Sequence, residues 1–114
     1  MPYLQIQTNL DISPDQQVTF LATASKMLAK HLNKAESYVM VALQTQVPML
    51  FAGTNQPTAF LEVKNIRLST SGTPDLSREI CTFVEQSLKI PKDRVYIEFI
   101  NVDPSLWGWN GQTF

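Results

Sequence analysis

Sulfur chemistry has almost nothing to work with in this chain, because Cys81 is its only cysteine. A single thiol excludes an internal disulfide framework, and without a CxxC pair there is neither a redox dithiol nor a zinc knuckle. Histidine is equally scarce. His31 stands alone near the end of a helical stretch, with no second ligand at metal-binding spacing, so no metal centre is expected. The glycines at 53, 72, 108 and 111 form neither GxGxxG nor a P-loop, which argues against a phosphate cradle. Charge is thin too: nine Lys and Arg against ten Asp and Glu leave a formal net charge of −1. That balance gives no electrostatic footprint for nucleic acid or an anionic membrane. No apolar run is long enough to cross a bilayer, and no basic-then-apolar leader opens the chain. The expectation is a cofactor-free protein with no nucleic-acid or membrane partner, placed in the cytoplasm, with non-classical secretion left open.

What is present is an ordinary globular balance, 44% hydrophobic and 17% charged over 114 residues, enough for one domain (1–114) with its own core. The domain reads as two halves, 1–57 and 58–114. Tyr3-Leu4-Gln5-Ile6-Gln7 and Phe60-Leu61-Glu62-Val63-Lys64 share one alternation, 57 residues apart (3 to 60). Val39-Met40-Val41 and Tyr96-Ile97-Glu98 repeat the offset (39 to 96). A helix signal lies between the strands of each half. Ser13, Pro14 and Asp15 make an N-terminal cap and first turn, and Thr73, Pro74 and Asp75 repeat it. Val18, Leu21, Ser25, Leu28 and Leu32 trace one mostly apolar face of the first helix, and Leu76, Ile80, Phe83, Val84 and Leu88 that of the second. Two β-α-β units with right-handed crossovers give an α+β two-layer sandwich: a four-stranded sheet with both helices on one face. If the uncovered face is apolar, the chain should oligomerise to bury it. Pro48–Ala52 and Ser105–Trp109, outside the repeats, read as short extra strands for subunit contacts; folding over their own core is the other placement left open.

Pro2 is the most informative residue. Methionine is trimmed when a small residue follows, and Pro2 would then carry a secondary amine at the head of an apolar strand. An α-amino group titrates near ~7.7–8.0, close enough to neutrality to act as a base. A strand-initial proline with no need of its N–H is the alternative. The matching position in the second half is Ala59, so only the first half can present such an amine.

Met1-Pro2, Thr8-Asn9, Lys34 ahead of Tyr38, Phe51-Ala52-Gly53, Asp93-Arg94-Val95-Tyr96-Ile97 and the terminal Gly108-Trp109-Asn110-Gly111-Gln112-Thr113-Phe114 together resemble the macrophage migration inhibitory factor family along the whole chain. The resemblance implies a homotrimer of β-α-β repeats and a keto–enol tautomerase whose base is the trimmed proline, acting on small aryl keto acids such as phenylpyruvate. By position in the family, Lys34 pairs with the substrate carboxylate and helps keep Pro2 neutral. Ile66 contacts substrate through its backbone, and Tyr96 approaches from the neighbouring subunit. Trp109 and Phe114 stand near the pocket rim, where packing at a subunit contact is an equal alternative. The chemistry agrees: tautomerising an α-keto acid needs a base of near-neutral pKa, a cation and an apolar slot, and desolvation with a nearby cation depresses an amine.

Some positions depart from the family. Glu98 replaces an asparagine and would repel an anionic substrate unless turned away or protonated. Trp107 replaces a small aliphatic residue and would narrow the aryl slot. Thr58-Ala59-Phe60-Leu61 stands where the family carries CxxC, so thiol–protein oxidoreductase activity is not expected. Asp11-Ile12 replaces an arginine tied to chemokine-receptor contact. The first alternative to a tautomerase is therefore a non-enzymatic, cytokine-like signalling or binding protein on the same trimeric fold with a drifted site. An RNA-contacting ferredoxin-like domain would need basic, aromatic-rich strands, which Gln5, Gln7, Glu62 and Glu98 do not supply.

Overall fold

The computed structural model describes residues 1–114. In chain order it runs β1 (Tyr3–Thr8), α1 (Pro14–Leu32), β2 (Met40–Gln44), β3 (Ala59–Ile66), α2 (Thr73–Leu88), β4 (Val95–Val102), β5 (Gly108–Trp109) and β6 (Gln112–Thr113). The four long strands form one sheet in the order β2-β1-β3-β4. Each helix carries the chain back across the sheet, so β1 lies parallel to β2 and β3 parallel to β4. The two units meet through the antiparallel β1–β3 pair, with Tyr3 opposite Lys64 and Thr8 opposite Ala59. The expected α+β two-layer sandwich of duplicated units is the architecture found.

Alternation along the strands sends Leu4, Ile6, Leu61 and Val63 to one face. There they join Phe20, Ala24 and Leu28 of α1 and Leu76, Ile80 and Val84 of α2 in a single buried cluster, so both helices cover the same side of the sheet. The α2 stripe follows its periodicity. In α1 the buried stripe is Phe20-Ala24-Leu28; it shares Leu28 with the expected face, whose Leu32 packs against the same core, while Val18 is 69% exposed. Phe20 wins because its ring stacks on Phe83 of α2 at 5.2 Å, and because Ala24 lets the helix approach the sheet. Ser13 caps α1 as expected, its Oγ accepting from the Gln16 N–H at 3.3 Å. Thr73 does not cap α2. A 3-10 turn at Thr70–Gly72 runs straight into the helix, and the Thr73 hydroxyl donates back to the Thr70 carbonyl at 2.9 Å.

The extra-strand expectations need correction. Pro48–Ala52 forms no strand: Ala52 and Gly53 both take positive φ, closing a tight turn spanned by one Phe51–Thr54 bridge. In Ser105–Trp109, Asp103 nucleates a 3-10 turn at Pro104–Leu106 by accepting from the Ser105 N–H, and only Gly108–Trp109 is extended. The sheet face away from the helices is not apolar. It is mixed: Gln5, Gln7, Gln44, Glu62, Lys64 and Glu98 share it with Tyr3, Met40, Ala42, Phe60, Tyr96 and Ile100. No helix is long and apolar enough to cross a membrane. His31 lies at the helix–helix boundary, 3.7 Å from Glu79, and Cys81 is half-buried rather than enclosed.

Candidate active site

The C-terminal heptapeptide builds one wall of a site at the head of β1. Asn110 and Gly111 take φ of 52° and 76°, the two left-handed positions that a two-residue hairpin of matching twist requires. The turn pairs β5 with β6 and folds Phe114 back, its N–H donating to the Trp107 carbonyl at 3.2 Å. Trp109 and Phe114 then stack at 5.8 Å. Tyr38, the last residue of a 3-10 turn before β2, meets both rings edge-on at 5.7 and 6.4 Å. These aromatics, with Met40, Val102 and Trp107, line a cavity of about 590 Å³ that also takes in Met1, Pro2 and Tyr3.

At the other wall, Pro2 is fully buried, and its carbonyl accepts the Met40 N–H at 3.0 Å, which opens the β1–β2 ladder. The terminal ammonium, carried here by Met1, donates to Oδ1 of the buried Asn65 at 3.3 Å. Partial burial pulls the pKa of this amine below its ordinary 8.0, and the positive charge of Lys34 lowers it further. Both effects disfavour the protonated form. The placement of Lys34 follows from the end of α1. Asn33 adopts the left-handed C-cap conformation, and the Lys34 N–H closes back on the Ala29 carbonyl at 2.9 Å.

Of the residues singled out in the sequence, Pro2, Trp107, Trp109 and Phe114 come together in the cavity. Lys34 is not part of its wall but acts on the amine through its charge. Ile66 is buried at the end of β3, paired with Val102 of the wall. Within one chain, Tyr96 and Glu98 are not among the cavity's lining residues. Tyr96 is 60% exposed, and its ring meets Phe51 edge-on at 4.7 Å. Glu98 lies directly across from Glu62 in the parallel β3–β4 register. Tyr38, Met40, Lys64 and Asn65 escaped the sequence reading. Strand alternation from Glu62 was the available signal for Lys64, and the Asn-Gly pair at 110–111 was the signal for the hairpin that gathers the aromatics.

Duplicated β-α-β units joined through their first strands form the fold of the tautomerase superfamily. Residues 1–114 match the profile of "Macrophage migration inhibitory factor (MIF)", and the chain belongs to that family. It is 35% identical to a macrophage migration inhibitory factor homolog of Brugia malayi, covering 100% of this chain and 99% of that one. It also superimposes on the crystal structure of a homologue from Prochlorococcus marinus with a TM-score of 0.91, at 44% identity over 98% of both chains. The Toxoplasma gondii protein of the same name matches with a TM-score of 0.89, at 33% identity over 98% of this chain and 99% of that one.

Proposed function

We propose that this protein is a cofactor-free keto–enol tautomerase of the phenylpyruvate type, with the amine of Pro2, freed by removal of Met1, as its general base. The observation that carries the reading is a chain-terminal amine beside an aromatic cavity, its pKa lowered by burial and by Lys34. A base works best with its pKa near ambient pH, and these surroundings push an amine in that direction. The neutral amine takes a proton from the carbon next to the substrate's keto group. The C–H electron pair shifts to form the enolate, and the proton returns to the carbonyl oxygen. Nothing is gained or lost overall, so no co-reactant is required. The aryl group rests among Trp107, Trp109 and Phe114, the backbone at Ile66 borders the substrate, and Lys34 supplies positive potential that favours an anion and keeps the amine neutral.

The active unit in this reading is a homotrimer in which Tyr96 and Glu98 face the cavity of a neighbouring subunit. Its support is the exposure of large apolar side chains outside the single-chain core, Leu50 at 73% and Leu106 at 79% among them. The unpaired edge of the eight-residue β4 adds to it. A non-enzymatic, cytokine-like binding protein on the same fold is the second reading. It is favoured by the Glu62–Glu98 pair, which puts negative charge where an anionic substrate would meet Tyr96.

Intact mass and tautomerase activity measured on one preparation decide between the two. Protein lacking Met1 should interconvert the keto and enol forms of phenylpyruvate, followed by enol absorbance. Retained Met1 or Pro2→Gly should remove most of that activity without changing the assembled mass. Undiminished turnover in either would rule out proline catalysis, and an inactive protein with a free Pro2 would favour the binding role.

A further inference from the structure

We propose that Asn65 is a positioning residue for the base: once Met1 is gone, its side-chain oxygen accepts the N–H of the Pro2 amine and turns the nitrogen lone pair toward the cavity. The assignment deepens the tautomerase reading and rests on it for the reaction. Asn65 occupies an inward position of β3, in alternation with the buried Leu61 and Val63, and is 3% exposed. An amide so placed needs a hydrogen-bond partner. Its side chain makes one such bond, Oδ1 accepting from the chain-terminal amine at 3.3 Å. Asn101, opposite it on β4, does not serve, because its own oxygen accepts the Leu68 N–H at 2.9 Å. The antiparallel register sets Tyr3 opposite Lys64, so one step outward Pro2 falls opposite Asn65, and both are buried. Removal of Met1 takes away the partner of the amide and makes Pro2 the new terminal nitrogen. A buried acceptor left empty is costly, which favours the exchange.

A neutral proline amine has one N–H and one lone pair. An acceptor that holds the N–H fixes where the lone pair points, and leaves it for the cavity that Pro2 lines. The proton taken from the substrate carbon then becomes the second N–H of the ammonium, on the cavity side, and is the one returned to the carbonyl oxygen. The titratable groups around the amine are Lys34, whose charge reaches it, and Lys64, Tyr3 and Tyr38 in the cavity wall; no carboxylate lines the cavity. A neutral amide oxygen can therefore orient the amine, whereas an ionised carboxylate in the same place would hold it protonated.

The test is the pH dependence of Pro2 labelling by phenyl isothiocyanate, with which only the neutral amine reacts, read by mass on the N-terminal peptide of full-chain protein lacking Met1. Asn65→Leu removes the acceptor at similar size and should lower the labelling midpoint by about 0.5 pH unit. Asn65→Asp should raise it by about 1 pH unit. A merely structural role would not move the midpoint in opposite directions. Asn65→Leu should also cut kcat for phenylpyruvate about tenfold with KM nearly unchanged, as for a misaimed base. In wild type, the side-chain amide resonances of Asn65 should titrate with the labelling midpoint, a reading that needs no variant to fold. The assignment is overturned if those resonances do not follow the amine. It is equally overturned if the two variants leave the midpoint in place or move it the same way, or if Asn65→Leu turns over undiminished. Opposite midpoint shifts in protein that does not turn over phenylpyruvate would support the placement of Asn65 while counting against the tautomerase reading.

Discussion

Replacing Arg94 with methionine should destabilise the protein by about 3 kcal/mol, because one guanidinium organises the whole turn ahead of β3. Its Nε donates to the Pro57 carbonyl at 2.9 Å and its Nη1 to Phe51 at 3.1 Å, both partly buried. Its Nη2 donates to Thr54 at 3.3 Å and Gln56 at 3.0 Å in solvent. A buried carbonyl deprived of its donor costs ~1–2 kcal/mol, whereas an exposed one regains most of its loss from water. The guanidinium also lies 5.3 Å from the centre of the Phe51 ring, worth about 0.5–1 kcal/mol. Methionine keeps the stem volume and removes all of these donors, so the loss isolates the polar contacts. Equilibrium urea unfolding at fixed protein concentration, which keeps any assembly contribution constant, should show a lower midpoint with an unchanged slope. Arg94→Lys should recover less than half, since a single ammonium cannot span four carbonyls in the fork geometry. A loss under about 1 kcal/mol for Arg94→Met would refute the idea that Arg94 holds this turn.

If Pro2 inherits the surroundings of the terminal amine, activity should rise with pH through an inflection below 8.0, the ordinary value, because burial and Lys34 lower the amine. Lys34→Met removes the cation and should move the inflection upward, and an unmoved pH–rate profile would remove Lys34 from that role. Gly111→Ala meets no steric obstacle, since nothing lies within 4 Å of the added Cβ, but Gly111 sits at φ +76°. The strain of about 1–2 kcal/mol should loosen the hairpin, raise KM for aryl pyruvates several-fold and shift tryptophan emission to the red; unchanged emission and KM would place the hairpin outside the site. Glu98→Asn should speed aryl pyruvate turnover by removing a repelling charge, and no change would put its carboxylate outside the reacting assembly.

The strands and α2 were legible because their burial follows local periodicity. Leu76, Ile80 and Val84 are buried where a 3.6-residue repeat puts them, and β1 and β3 alternate along their length. The α1 stripe was misread by part of a turn. Val18 and Phe20 are both apolar, and only the facing ring of Phe83 decides which one turns inward. The turn at Pro48–Ala52 looked like a strand because its side chains are apolar, while its course follows from left-handed residues and from carbonyls tied to Arg94, forty-odd positions away in sequence. Pro2 and the terminal aromatics were legible from position and residue type. Lys64 and Tyr38 were not, since neither has a distinctive neighbour until β1, β2 and β3 are aligned.

By itself, the sequence determined the duplicated β-α-β plan and the family, because both rest on short-range patterns repeated along one chain. The tertiary structure alone decided which side chains meet. The Asn110-Gly111 turn returns Phe114 to Trp109 and Tyr38, and the antiparallel β1–β3 register brings Lys64 opposite Tyr3. Burial near Lys34 pulls the terminal amine below its ordinary pKa. Each of these depends on the through-space environment of groups far apart in the chain, and no local pattern encodes that.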